Sequence, residues 1–193
     1  MKKIISSTFL SWLPLSVAIV SIYGIMYLAI QQYIRLSANE LPLQYAYDIK
    51  AKIESGTPPP AAVTGISPID LKKSLSPFVF IYDGNGSRAA GTASLSGKNV
   101  ELPAGVLDGI GGEEIKRITW QPEQGVRQAI VVINYTLPGG GRPGHIVAGR
   151  SLQETETREH FVLMQILAGI FITIIATFTV ACFSQFIRCR TTK

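Results

Sequence analysis

The chain has 193 residues, 47% of them hydrophobic and only 16% charged, a low charge content for a soluble domain of this size. That length holds one globular domain plus apolar segments, and the apolar residues fall into two blocks, which argues against a cytosolic enzyme. Cys182 and Cys189 both lie near one end, so a disulfide scaffold is excluded.

Residues 4–34 form an uncharged run of 31, and residues 161–187 form another of 27. A membrane helix needs about 20 mostly apolar residues, so spans are predicted at 9–30 and 162–184. The first block opens on Lys2-Lys3, as a secretory signal does. Its apolar stretch runs well past the roughly 7–15 residues of a signal core and no A-x-A site follows, which makes it a signal anchor rather than a cleaved signal. Residues 31–160 carry 13 basic and 13 acidic residues, so the net charge of +5 comes from Lys2, Lys3, Arg188, Arg190 and Lys193. The positive-inside rule then places the tails 1–8 and 185–193 in the cytoplasm and residues 31–161 outside. The charge thus reports membrane topology, and the expected partner is the lipid bilayer rather than nucleic acid.

In the outer region, residues 31–35 continue the first helix. Asn39 is placed to cap a new helix and Pro42 fits its first turn. Ala46, Ile49 and Ile53 form one apolar stripe, predicting a helix over 40–54. Ser55-Gly56 ends it, and Thr57-Pro58-Pro59-Pro60 reads as an extended linker. Ser67-Pro68-Ile69-Asp70 has the form of an N-cap, a proline and an acid, predicting a short helix over 68–75. Strands follow at 78–82 and 87–94, joined through Asp83-Gly84-Asn85-Gly86, which carries two strong turn dipeptides. Residues 95–114 are rich in glycine and acids, with a short helix predicted at 103–109. Three further strands are predicted at 115–121, 126–136 and 145–150, and a helix from 152 leads into the second span. The fold class is therefore α+β: two membrane helices flank a five-stranded antiparallel sheet with a long N-terminal helix.

Four local patterns carry a resemblance. They are Gln31-Gln32 with Arg35 and Ala38-Asn39; Pro77-Phe78-Val79-Phe80-Ile81-Tyr82-Asp83 with Gly86; Thr119-Trp120-Gln121-Pro122 with Gly125-Val126-Arg127; and Ala148-Gly149-Arg150-Ser151-Leu152 with Glu154 and Glu156. Together they resemble the extracytoplasmic sensor regions, PAS-like and of the PDC or Cache type, of bacterial two-component histidine kinases. The layout is similar to small stand-alone membrane proteins that keep only this sensor unit. About six residues follow Ile187 and His160 sits at the outer membrane face, so the resemblance implies sensing without a kinase core on this chain. The partner it implies is a histidine kinase or other membrane signalling protein, or a second copy. Two other readings stand beside it: a structural accessory protein of the envelope, and a remnant of a sensor kinase.

No catalytic residue is assigned. The only histidines, His145 and His160, sit in no metal-ligand pattern, and the glutamates near His160 read as a solvated face. Gly139-Gly140-Gly141-Arg142-Pro143-Gly144 matches G-x-G-x-x-G formally, but a proline interrupts it and a strand follows, so it reads as a hairpin loop. No G-x-S-x-G or phosphate-binding loop occurs, and neither a cofactor nor a metal is expected. The ligand-site candidates are Tyr82, Trp120 and Arg127, on strands that line the cavity in PAS-like domains. Arg127 would pair with an anion and Trp120 would form an apolar wall. Against this, strand-borne aromatics are usually core, and such an arginine often pairs with an acid. Arg150 is expected to hold Glu154 or a neighbour at the junction of sheet and helix rather than a ligand. Thr173, Thr177 and Thr179, with Gly169, either allow close helix approach or bond their own backbone. Cys189 is open to acylation beside a membrane, with a passive thiol as the plainer reading.

Overall fold

The computed structural model describes residues 2–109 and 114–191. Lys193 lies outside the described residues, as do residues 110–113 of the glycine-rich stretch and the side chains of Lys2, Lys3, Cys189 and Arg190. By internal contacts the chain divides into two units: Met1–Ile34 with Thr157–Lys193, and Arg35–Glu156.

The first unit holds most of two long helices, α1 (Lys2–Ser37) and α4 (Gln153–Thr191). Both are long and apolar enough to cross a membrane. Leu28, Phe171 and Val180 are among their large apolar side chains left exposed, as lipid-facing residues would be. The two helices touch through polar groups at small residues. Trp12 donates its indole N–H to Thr177 Oγ1 at 3.1 Å, and Tyr23 Oη and Thr173 Oγ1 share a hydrogen bond of 3.1 Å. The Tyr23 ring lies against Gly169, where a Cβ would come within 2.9 Å of it. Thr173 and Thr177 also bond back to the carbonyls of Gly169 and Thr173, so both sequence readings hold for them. Thr179 bonds its own helix, at Ala176 O.

The second unit opens with α2 (Glu40–Glu54), at the bounds the apolar stripe predicts, with Pro42, Ala46, Ile49 and Ile53 buried. Asn39 stands at the N-cap but makes no side-chain cap; its Nδ2 donates backwards to Arg35 O at 3.2 Å. Gly56, at φ +102°, lets the chain turn away after the helix. The proline linker is not wholly extended, because Pro59–Ala62 makes one helical turn, α3. The helix expected over 68–75 does not form. Instead β1 (Ile69–Asp70) pairs in parallel with β4 (Ala93–Ser94). The Asp70 carboxylate accepts the backbone N–H of Lys72 and Ser96, a turn rather than a helix cap. These two bonds hold its pKa below the usual carboxylate value.

The main sheet comprises β2 (Phe78–Tyr82), β3 (Arg88–Gly91), β5 (Lys116–Glu123), β6 (Val126–Tyr135) and β7 (Gly144–Ser151), all antiparallel, in the order β3-β2-β7-β6-β5. The central strand β7 pairs with β6 over eight positions, from Gln128↔Ser151 to Tyr135↔Gly144. Side-chain alternation divides the core into two layers. Val79, Ile81, Val131, Ile133 and Ile146 face α2, packing on Ala46, Ile49 and Ile53. Phe78, Phe80, Tyr82, Trp120, Ile130 and Val132 face the other way. Among the described residues no helix covers that second layer. Leu71 and the segment around Val100, Leu102, Val106 and Leu107 lie on it, and the short helix expected at 103–109 is a series of turns.

Candidate functional site

The second layer of the sheet is built around an arginine. Tyr82 ends β2, and Arg88 opens β3 opposite it, after the turn in which Asp83 Oδ1 accepts the N–H groups of Asn85 and Ser87. The Arg88 side chain folds back along its own strand. Its Nη1 donates to Val100 O at 2.9 Å and its Nη2 to Ala93 O at 3.3 Å. Its Cζ stands 4.1 Å from the centre of the Phe80 ring, a cation–π contact. Gly91 makes room for this: a Cβ there would lie 2.1 Å from Arg88 Nη2. Among the described residues Arg88 makes no ion pair.

Tyr82 and Arg88 line a cleft of about 840 Å³ whose other wall is the segment 99–108, with Asn99, Glu101, Leu102 and Asp108 facing it. One lysine fixes that wall. Lys116 Nζ donates to the carbonyls of Gly105, Val106 and Asp108 at 2.9, 3.1 and 3.1 Å. Burial pushes the Tyr82 hydroxyl above its ordinary pKa, with Arg88 opposing and Glu101 adding to the rise. It is therefore a neutral hydrogen-bonding group at neutral pH. A shallower depression of about 560 Å³ lies beside it, lined by Gly84, Asp108, Arg142 and His145. His145 Nδ1 is 2.8 Å from Asn134 Oδ1, and burial lowers its pKa.

The three residues singled out from sequence are separated. Tyr82 lines the cleft. Trp120 is 5% exposed and sits beneath it in the closed core, with its ring 6.4 Å from both Phe78 and Phe80. Arg127 belongs to the odd-numbered positions of β6, which face α2 rather than the cleft. It is exposed and forms an ion pair with Glu156, while its carbonyl accepts Leu152 N–H at 2.9 Å. Arg150 pairs with Glu154 at 2.8 Å, the partner expected for it. Sequence reasoning missed Arg88. No local pattern marks it, because its guanidinium rests against Gly91, over the Phe80 ring and on the carbonyl of Val100, 12 residues further along. Among the described residues no group of three or more His, Cys, Asp or Glu is placed to hold a metal ion.

Comparison with protein-family models, with curated proteins and with solved structures found no match to this chain.

Proposed function

We propose that this protein is a sensor-like component of bacterial signal transduction. On this reading it is anchored in the inner membrane by two spans, with both termini in the cytoplasm and a PAS-like domain over 31–161 outside. It acts through a membrane partner, a histidine kinase or other signalling protein. The observation that carries the reading is that the sheet domain is joined at both ends to long apolar helices. The chain passes from α1 into α2 through Ala38 and Asn39, and from β7 into α4 through Leu152. A domain strung between two spans can bias both when its own shape changes. The partition of basic residues onto the two tails supports the orientation, and the five-stranded antiparallel sheet backed by α2 is compatible with a PAS-like domain.

Site-specific photo-crosslinking in native bacterial membranes tests this. The photoreactive residue belongs at Val180 or Phe171, which are exposed, rather than at Thr177, which is engaged by Trp12. Capture of a histidine kinase or another transmitter supports the reading. Capture of envelope structural proteins alone, or of nothing but a second copy, replaces it with the accessory reading. A reporter fused after residue 193 must also read as cytoplasmic.

A further inference from the structure

We infer that α1 and α4 form one locked hairpin in the membrane, so that a displacement of either span carries the other with it. The consequence for signalling rests on the sensor reading; the hairpin itself does not. Hydrocarbon offers neither water to polar groups nor a hydrophobic drive between helices, so spans are held by packing and by interhelical hydrogen bonds. Two such bonds cross this pair. Thr177 and Thr173 each have one hydroxyl proton, and each gives it to a carbonyl of its own helix, at Thr173 O and Gly169 O, both at 2.8 Å. Their oxygens are left to accept. The Trp12 indole N–H donates to Thr177 Oγ1 at 3.1 Å, and the Tyr23 hydroxyl therefore donates to Thr173 Oγ1, also at 3.1 Å.

Neither ring can follow if one helix slides. Tyr23 lies in the gap left by Gly169, where a Cβ would stand 2.9 Å from Tyr23 Cε1. Trp12 meets Phe178 edge-on, with ring centres 5.3 Å apart. Among the described residues of the two apolar runs, Ile19 and Ile166 are the buried ones. A slide of about 2 Å along the helix axis takes both bonds out of hydrogen-bonding range. They break together, which exposes an indole N–H and a phenol O–H to hydrocarbon. The spans therefore resist sliding past each other, and the movement left to them is a joint tilt, rotation or shift.

The test is a pair of distances measured by electron spin resonance on the full chain in lipid nanodiscs. Spin labels go on Leu13→Cys with Val180→Cys, and on Ile25→Cys with Leu167→Cys, all exposed positions, with Cys182 and Cys189 replaced by serine. Each pair should give one narrow distance. That distance should shift by less than about 2 Å when urea unfolds the sheet domain, with the unfolding followed by hydrogen exchange in β6. Trp12→Phe with Tyr23→Phe keeps both rings and removes both bonds, and should shift or broaden the distances by about 5 Å, one helical turn. A variant that inserts badly would broaden them too, so a second comparison separates the two causes. Thr173→Ser with Thr177→Ser keeps both hydroxyls and should keep the wild-type distances, whereas Thr173→Val with Thr177→Val should match the Trp12/Tyr23 variant. The inference is overturned if unfolding the sheet parts the spans, if the Trp12/Tyr23 variant keeps the wild-type distances, or if serine and valine behave alike. A failure of the sensor reading shows instead in the crosslinking experiment.

Discussion

Gly149 offers the sharpest test of how the sheet is packed. It lies in β7 with Phe78 registered beside it on β2 and Ile130 beside it on β6. A methyl group added there would fall 2.5 Å from Phe78 Cζ and 2.7 Å from Ile130 Cγ2. Carbon atoms rest at about 3.5–4.0 Å, so the methyl is about an ångström too close on both sides. Phe78 and Ile130 are fully buried, and neither can swing into solvent. Overpacking of a closed core costs about 1–3 kcal/mol, and two immovable neighbours place Gly149→Ala in the upper half of that range. With a urea slope of about 1–2 kcal/mol per molar, the unfolding midpoint should fall by roughly 1–3 M. The assay is urea titration of the detergent-solubilised chain, following Trp120 fluorescence in a Trp12→Phe background. Phe78→Leu removes the offending ring atoms, so the Gly149→Ala/Phe78→Leu pair should be less than additive, by about 1 kcal/mol. Gly139→Ala, with nothing within 4 Å of the new methyl, serves as the control. A wild-type midpoint for Gly149→Ala, or full additivity in the pair, would refute this account of the packing.

Two further predictions concern the walls of the cleft. Lys116→Met removes the ammonium that three carbonyls share, at a cost of about 1 kcal/mol for a half-exposed group. Hydrogen exchange should then accelerate about fivefold at the Val106 and Asp108 amides, while β6 amides keep their protection. Acid should act through His145. Burial holds its imidazole below the ordinary value of 6.5, so the unfolded chain takes up the proton first. Stability present above that value is therefore lost as the pH falls through it. The urea midpoint should drop between about pH 7.5 and 5.5, and the drop should be smaller in His145→Asn. An equal drop in both proteins would assign the effect to other groups.

Elements fixed by local rules were legible in the sequence. The stripe Ala46-Ile49-Ile53 gave α2 its bounds, and four of the sheet's strands lie close to where they were expected, whereas the strand expected over 87–94 breaks at Thr92 into β3 (Arg88–Gly91) and β4 (Ala93–Ser94), the latter leaving the sheet to pair with β1. The misreadings fall where a distant partner overrides a local preference. Ser67-Pro68-Ile69-Asp70 has good helix-start chemistry, yet Ala93 and Ser94 supply a strand for Ile69 and Asp70 to join. The candidate site was half legible for a related reason. A strand's period of two assigns Tyr82 and Trp120 to one face, but it does not show that the loop over Trp120 closes while that over Tyr82 stays open. The sequence reading also grouped Arg127 with Trp120, whereas Trp120 is registered opposite Gln128, so Arg127 falls on the other face, a parity hidden by the irregularity between Trp120 and Glu123. Arg88 was invisible because its seat depends on Val100, 12 residues further along.

The interior position of β6, between β7 and the edge strand β5, has a consequence for any shortened form of this protein. Nine of its ten residues are buried, and residues 129–133 read Ala-Ile-Val-Val-Ile, with no charge and no proline to interrupt stacking. Such segments assemble into cross-β fibres when their backbone is left unpaired. In the intact domain β5 closes one edge of this strand and β7 the other. A chain cut within 136–143 would lose the second of these and leave a long apolar edge open. The product would be a template for self-association rather than a smaller folded domain, and β7 must follow β6 closely as the chain folds to avoid the same fate.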